Sequence, residues 1–86
     1  MYYVYVLRSS KDGKKYIGIS QNIKERLKQH NNGQNTSTKN RRPFKLEFYK
    51  LCDNKIEALK LEKRYKKSHN VLIRDMERSV GLWTPG

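Results

Sequence analysis

Two aromatic triplets, Tyr3-Val4-Tyr5 and Tyr16-Ile17-Gly18, bracket the polar stretch 9–15, which has Asp12-Gly13 near its centre. Asp-Gly between runs of alternating aromatic and β-branched residues is a strong local hairpin signal. Alternation then sorts the side chains to two faces. Val4 and Val6 join Ile17 and Ile19 on an apolar face, while Tyr3, Tyr5, Tyr16 and Gly18 share the opposite one. Two phenols therefore stand side by side, next to a position with no side chain where a ligand can approach the backbone. The competing reading is an ordinary tyrosine-rich strand pair, since aromatics favour strands.

Composition limits what can be built around that hairpin. Eighty-six residues are expected to make one domain with one core, and only 35% of them are apolar. The core must then be thin and helped by tyrosine rings and lysine stems. Twenty Lys and Arg against eight Asp and Glu give a formal net charge of +12. A field of that size favours polyanions, with nucleic acid the usual one and an anionic membrane surface the competitor. No apolar run approaches the ~20 residues of a spanning helix, and no signal segment is visible. The expectation is no membrane association. The single Cys52 cannot form an internal disulfide, and no Cys/His cluster suggests zinc. These features point to a reducing, cytoplasmic setting, compatible with nucleoid association.

After the hairpin, Asn22-Ile23-Lys24-Glu25 resembles a capping box, and a helix is expected over 22–31, stopped by Asn32-Gly33. Residues 32–43 read as a polar, basic loop closed by Pro43, of which no stable structure is required. A third strand is expected over 45–51, with Phe48 and Tyr49 on opposite faces. Asp53 or Asn54 caps a second long helix reaching about Ser68. A third helix over 71–78 turns Leu72, Ile73 and Met76 inward, and 80–86 reads as a tail with Trp83 as an anchor. The order β-β-α-β-α-α describes an α/β (α+β) domain: a small three-stranded sheet, antiparallel or mixed, packed by helices.

Charged residues fall where a core should be. At about 100° per residue, Ile23 and Leu27 mark the inner side of the first helix, and Arg26 and His30 lie on the same arc, one turn apart. The second helix shows an apolar side of Ile56, Ala58, Leu59, Leu61 and Tyr65, with Glu62 near its middle and Lys66 one turn on. A glutamate facing a core needs a partner or a metal. An i,i+4 Glu62–Lys66 pair and an Arg26–His30 structural pair are the bland alternatives.

Two tyrosines, an arginine, a histidine and a glutamate in a strongly basic chain form a set suited to phosphodiester hydrolysis. A hard carboxylate can hold one Mg²⁺ or Mn²⁺, which polarises the scissile phosphate. Arg26 can grip a non-bridging oxygen with its fork of donors. A phenol can pass a proton to or from the attacking water, with His30 orienting or relieving it.

Assembled in this order, the chain resembles a GIY-YIG nuclease domain. Tyr3-Val4-Tyr5 stands at the first triplet and Tyr16-Ile17-Gly18 at the second. The stretch 26–30, Arg-Leu-Lys-Gln-His, resembles the family's R-x-x-x-H/Y helix. The stretch 58–62, Ala-Leu-Lys-Leu-Glu, followed by Lys66, resembles the helix that carries the metal-binding glutamate. The stretch 38–43, Thr-Lys-Asn-Arg-Arg-Pro, is similar to a basic loop of the small stand-alone bacterial members, themselves similar to the N-terminal nuclease domain of the excision-repair incision subunit. Three positions depart from the pattern. Tyr3 stands where the family has glycine, and Ile19 stands where the repair nuclease carries a lysine that assists catalysis, leaving that role missing or supplied by Lys14 or Lys15. Asn70 lies too close to the glutamate helix to take the role of the family's asparagine.

The resemblance implies a DNA endonuclease, with repair or recombination as its setting. Glu62 would ligate one Mg²⁺ or Mn²⁺, Arg26 would bind phosphate, and Tyr5 and Tyr16 would position and activate water with His30 as their hydrogen-bond partner. Either tyrosine can carry the proton. Lys14, Lys15, Lys39, Arg41, Arg42 and Lys45 would contact phosphates without reading bases. The expected partner is DNA, with RNA open, no small-molecule cofactor, and a protein partner that directs cleavage. Cutting is expected to be structure-selective or weakly sequence-specific. The rival is a basic nucleic-acid-binding module on the same fold without turnover.

Overall fold

The computed structural model describes residues 1–78, so the expected tail at 80–86 and its Trp83 lie outside the described residues. Strand β1 (Tyr2–Ser9) pairs antiparallel with β2 (Lys15–Ser20) on one side and with β3 (Phe44–Cys52) on the other, giving the order β2-β1-β3. Helix α1 (Ile23–Asn31) follows the hairpin, and α2 (Lys55–Lys67) and α3 (His69–Arg78) follow β3. The sheet is antiparallel throughout.

The hairpin pairs Tyr5 with Gly18, Val6 with Ile17 and Leu7 with Tyr16. Its turn uses Gly13 at φ +71°, the left-handed region that glycine enters without a Cβ penalty. The Ser9 hydroxyl, buried, accepts the N–H groups of Lys11 and Asp12 at 3.1 Å and donates to the Arg41 carbonyl at 2.6 Å. The turn is thereby tied to the segment before β3.

Two apolar layers cover the two faces. Val4, Val6, Phe48 and Cys52 meet Ala58 and Tyr65 of α2 and Leu72 of α3. Tyr5, Leu7 and Phe44 meet Ile23 and Leu27 of α1. Each fully buried Val, Leu or Phe contributes about 1.5–3 kcal/mol, which is how a chain of this composition holds together. Phe48 and Tyr49 do face opposite ways, Phe48 buried and Tyr49 exposed.

A β-bulge lies in this register. Val6 pairs with Phe48 but Leu7 pairs with Leu46, so Glu47 is the extra residue. The insertion switches the parity of β3, moving Leu46 and Phe44 from the α2 face to the α1 face beside Leu7. Glu47 is taken up by Arg8, which donates to its two carboxylate oxygens at 2.8 and 2.9 Å.

The helices start where their caps predict. Asn22 Oδ1 accepts the Glu25 N–H at 3.1 Å, and Asn54, rather than Asp53, accepts the Glu57 N–H at 2.9 Å. α3 begins at His69, two residues earlier than expected, directly after Ser68 ends α2. The inner side of α2 is narrower than its sequence suggests. Ile56 and Leu59 are 64% and 43% exposed, while Ala58, Leu61 and Tyr65 make the packed row, three and four residues apart. Glu62 therefore sits at the margin of that row. Among the described residues no helix is long and apolar enough to cross a membrane.

Candidate functional site

Tyr5 reaches across β2 over its register partner Gly18. A Cβ on Gly18 would lie 2.6 Å from the Tyr5 hydroxyl and 3.2 Å from the Tyr16 ring. The missing side chain is what lets the Tyr5 hydroxyl come close over β2 beside Tyr16. Their rings are 6.3 Å apart, and the Tyr16 ring meets the His30 imidazole edge-on at 4.8 Å.

His30 is completely buried, as expected of an inward histidine. Its Nε2 lies 3.1 Å from the Tyr5 hydroxyl and its Nδ1 lies 2.8 Å from the Thr38 hydroxyl. Burial, helped by the Arg26 charge, lowers its pKa, so the neutral ring has one donor and one acceptor nitrogen. The Thr38 hydroxyl donates onward to the Asn35 carbonyl at 3.4 Å. Every proton in the chain then finds an acceptor in one arrangement: Tyr5 O–H to Nε2, Nδ1–H to Thr38, Thr38 O–H to Asn35.

Arg26 departs from its expected inward placement. It is exposed and donates to the Gln29 side chain at 3.1 Å, because in so short a helix the row Ile23–Leu27–His30 takes the whole seam. Its charge still reaches the phenol. Burial first, then the neighbouring Tyr16, push the Tyr5 pKa up to about 12, against a downward pull from Arg26; Glu62 adds to the rise. Tyr5 is thus a protonated phenol at neutral pH, with Arg26 from α1 and Glu62 from α2 both within electrostatic range. Tyr16 differs. It is half-buried, and its hydroxyl has no hydrogen-bond partner among the described residues.

Glu62 keeps 19% of its side chain exposed and meets Lys66 Nζ at 3.5 Å. The i,i+4 contact of the bland alternative is present, and it sits at the margin of the packed row. Among the described residues no cluster of three acidic, His or Cys side chains could cage a metal. A lone carboxylate with an accessible oxygen nevertheless suits Mg²⁺ or Mn²⁺, which keep several waters and complete their shell with substrate phosphate.

The loop at 32–43 is more ordered than its composition implied. Asn35 Oδ1 accepts from the Ser37 N–H and hydroxyl at 3.1 and 2.7 Å, and a 3₁₀ turn covers Lys39–Arg41. This local turn drives Thr38 inward until it is fully buried. Arg41 pairs with Asp12 at 2.8 Å, donates to the Lys15 carbonyl and lies over the Phe44 ring, so it joins loop to hairpin. Asp12, bonded by the Lys14 N–H and by Arg41, is held at a pKa of about 2. Arg42 donates to the Lys39 carbonyl and lies against Gly33. Lys14, Lys39 and Lys45 are exposed and Lys15 is half-buried.

Thr38 is the site residue that chemistry-based reading of the sequence passed over. The available signal was the Asn35-x-Ser37 turn that buries it. Thr38→Val keeps the shape and leaves the buried imidazole N–H without an acceptor, a cost of about 1–3 kcal/mol. Thr38→Ser is expected to restore most of that. Chemical denaturation of both variants checks it, and equal stability of the two removes Thr38 from the chain.

The model of the GIY-YIG catalytic domain matches residues 1–74. The chain belongs to the GIY-YIG family. Relatives of this GIY-YIG chain include a UPF0213 protein of Staphylococcus saprophyticus, 44% identical over 62 residues, covering 71% of this chain and 74% of that protein. A UPF0213 protein of Bacillus licheniformis is 42% identical over 67 residues, covering 77% and 68%. The solution structure of a UPF0213 protein from Bacillus halodurans is similar to it at a TM-score of 0.50 and 33% identity, over 95% of this chain and 85% of that one. GIY-YIG domains are endonuclease domains that generally use a divalent metal. The matched span includes β1, β2, α1, β3 and α2, and with them Tyr5, Tyr16, Gly18, Arg26, His30 and Glu62.

Proposed function

We propose that this GIY-YIG domain is a metal-dependent DNA endonuclease that hydrolyses single phosphodiester bonds with structural rather than sequence preference. The observation that carries it is the buried Tyr5–His30–Thr38 hydrogen-bond chain lying under the charges of Arg26 and Glu62. A purely binding surface has no use for a buried phenol–imidazole pair and a marginal glutamate in a protein of charge +12.

Roles follow from exposure and bonding. Glu62 would hold one Mg²⁺ or Mn²⁺, which supplies Lewis-acid polarisation of the phosphate when bound. Arg26, at the exposed rim, takes a non-bridging oxygen through its guanidinium fork. Tyr16, whose hydroxyl has no partner among the described residues, faces the attacking water. Tyr5 is anchored: its hydroxyl donates to His30 Nε2, so its oxygen can accept a second hydrogen bond and align Tyr16 and water over Gly18. His30, neutral and held by Thr38, can receive a proton from Tyr5 as the phenol takes one from water. Lys14, Lys15, Lys39, Arg42 and Lys45 contact the flanking phosphates, with Arg41 committed largely to Asp12. DNA repair or recombination, with a protein partner choosing the site, is the setting this reading supports.

Supercoiled plasmid incubated with the protein and Mg²⁺ or Mn²⁺ is expected to become nicked, and EDTA to stop the reaction. Plasmid that is bound but stays supercoiled in both metals returns the protein to a non-catalytic binding module.

A further inference from the structure

Three surface grooves differ in what they can hold. One, lined by Lys50, Asp53, Glu57, Lys60 and Arg64 among others, mixes both signs of charge. Another, around Tyr3, Ile23, Leu46 and Tyr49, has Lys24 as its single cation. The third, of about 680 Å³, runs beside the outer strand β2 between the hairpin turn and the α2–α3 corner. Arg8, Lys14, Lys15, Lys66 and His69 line it with no carboxylate among the lining residues, over Tyr16, Ile17 and Leu72.

We infer that this groove takes the single-stranded flank of the DNA being cut, an assignment that rests on the nuclease reading above. Three observations support it. First, the groove joins the site: Tyr16 belongs to both, and Lys66 on its wall is the ion partner of Glu62. Second, its chemistry is split, with cations around an apolar floor. A phosphate chain with unstacked bases presents both parts, whereas a duplex presents phosphate and sugar to a surface and keeps its base faces stacked inside. Third, its volume falls within the ~300–1,000 Å³ that encloses a small-molecule ligand, room for on the order of one or two nucleotides and not for a double helix.

Arg8 and Lys66 already have carboxylate partners, Glu47 and Glu62. The groups left to meet the strand are Lys14, Lys15 and His69, on the hairpin and at the start of α3. This places the path of the DNA at the open edge of the sheet.

The test is binding in EDTA, without cleavage, by fluorescence anisotropy across a range of salt. The probes are a blunt duplex and the same duplex carrying a single-stranded tail. The native protein is expected to prefer the tailed probe. Lys14→Ala/Lys15→Ala/His69→Ala is expected to bind that probe roughly tenfold more weakly. Its log–log salt slope flattens by about 0.7 for each phosphate left without a cation, the single-strand value. Its affinity for the blunt duplex changes far less. Unchanged affinity for the tailed probe overturns the assignment. Equal weakening on both probes, with a flattening nearer 0.9 for each phosphate, overturns the single-strand claim and leaves a duplex interaction. Plasmid nicking separates this from the nuclease reading. A protein that never nicks, but whose variant loses the tail preference, keeps the groove and loses the nuclease. One that nicks, but whose variant keeps full tail affinity, keeps the nuclease and loses the groove.

Discussion

Glu62→Gln is expected to reduce cleavage in Mg²⁺ or Mn²⁺ by about a thousandfold or more while DNA affinity is kept or rises. Glutamine has nearly the same shape, so it can sit at the margin of α2 where Glu62 does. What it lacks is the charge that binds a hard cation. Metal Lewis-acid stabilisation is worth several kcal/mol in the transition state, and each ~1.4 kcal/mol is tenfold in rate. Affinity moves the other way because a negative charge beside phosphate is gone and Lys66, 3.5 Å from that carboxylate, is released. A Glu62→Gln protein that nicks plasmid at the native rate takes Glu62 out of the mechanism. A variant that loses binding along with cleavage shows that Glu62 serves the fold instead.

Gly18→Ala tests the platform under the phenols. The added methyl would lie 2.6 Å from the Tyr5 hydroxyl and 2.8 Å from the ring carbon that bears it. Tyr5 is buried and bonded to His30, so the clash cannot be relieved by turning the side chain into solvent. Overpacking of this kind costs about 1–3 kcal/mol. Displacing a reacting group by ~1 Å costs about a hundredfold in rate. A double-mutant cycle separates the two effects. In a Tyr5→Phe background the nearest clash is gone, so Gly18→Ala is expected to destabilise measurably less than it does alone. Equal destabilisation in both backgrounds, or a native rate for Gly18→Ala, means that the phenol does not rest on Gly18.

The hairpin part of this site was legible from residues in order. Asp12-Gly13 makes the turn and alternation gives the phenols and Gly18 one face, while the register that sets Gly18 opposite Tyr5 came from the strand pairing. The helix cap at Asn22 was equally local, since a cap is decided within three residues, and the second cap was narrowed to Asp53 or Asn54. His30 was legible as an inward polar residue, and the Glu62–Lys66 pair as an i,i+4 contact. Arg26 and the apolar side of α2 were less so. A helical period assigns an arc, but the width of the buried part depends on what packs against it. In α1 the seam stopped short of Arg26, and in α2 it left Ile56 and Leu59 to solvent.

The sequence by itself determined the hairpin, the order of elements and the chemical kinds of side chain that meet. The tertiary structure alone decided three things: that Phe44 and Leu46 line the same face as Tyr5, that Thr38 holds His30, and that Arg41 bonds to Asp12. The first depends on the bulge at Glu47, where strands about forty residues apart in sequence set the parity of β3. The second and third depend on a polar loop whose own preferences were satisfied by a local turn, which left its outward and inward residues to be chosen by what the sheet offered. Periodicity works over a few neighbouring residues. A register shift, a buried hydroxyl and a long-range ion pair are decided by the free energy of pairing distant segments, and no short window of sequence contains both partners.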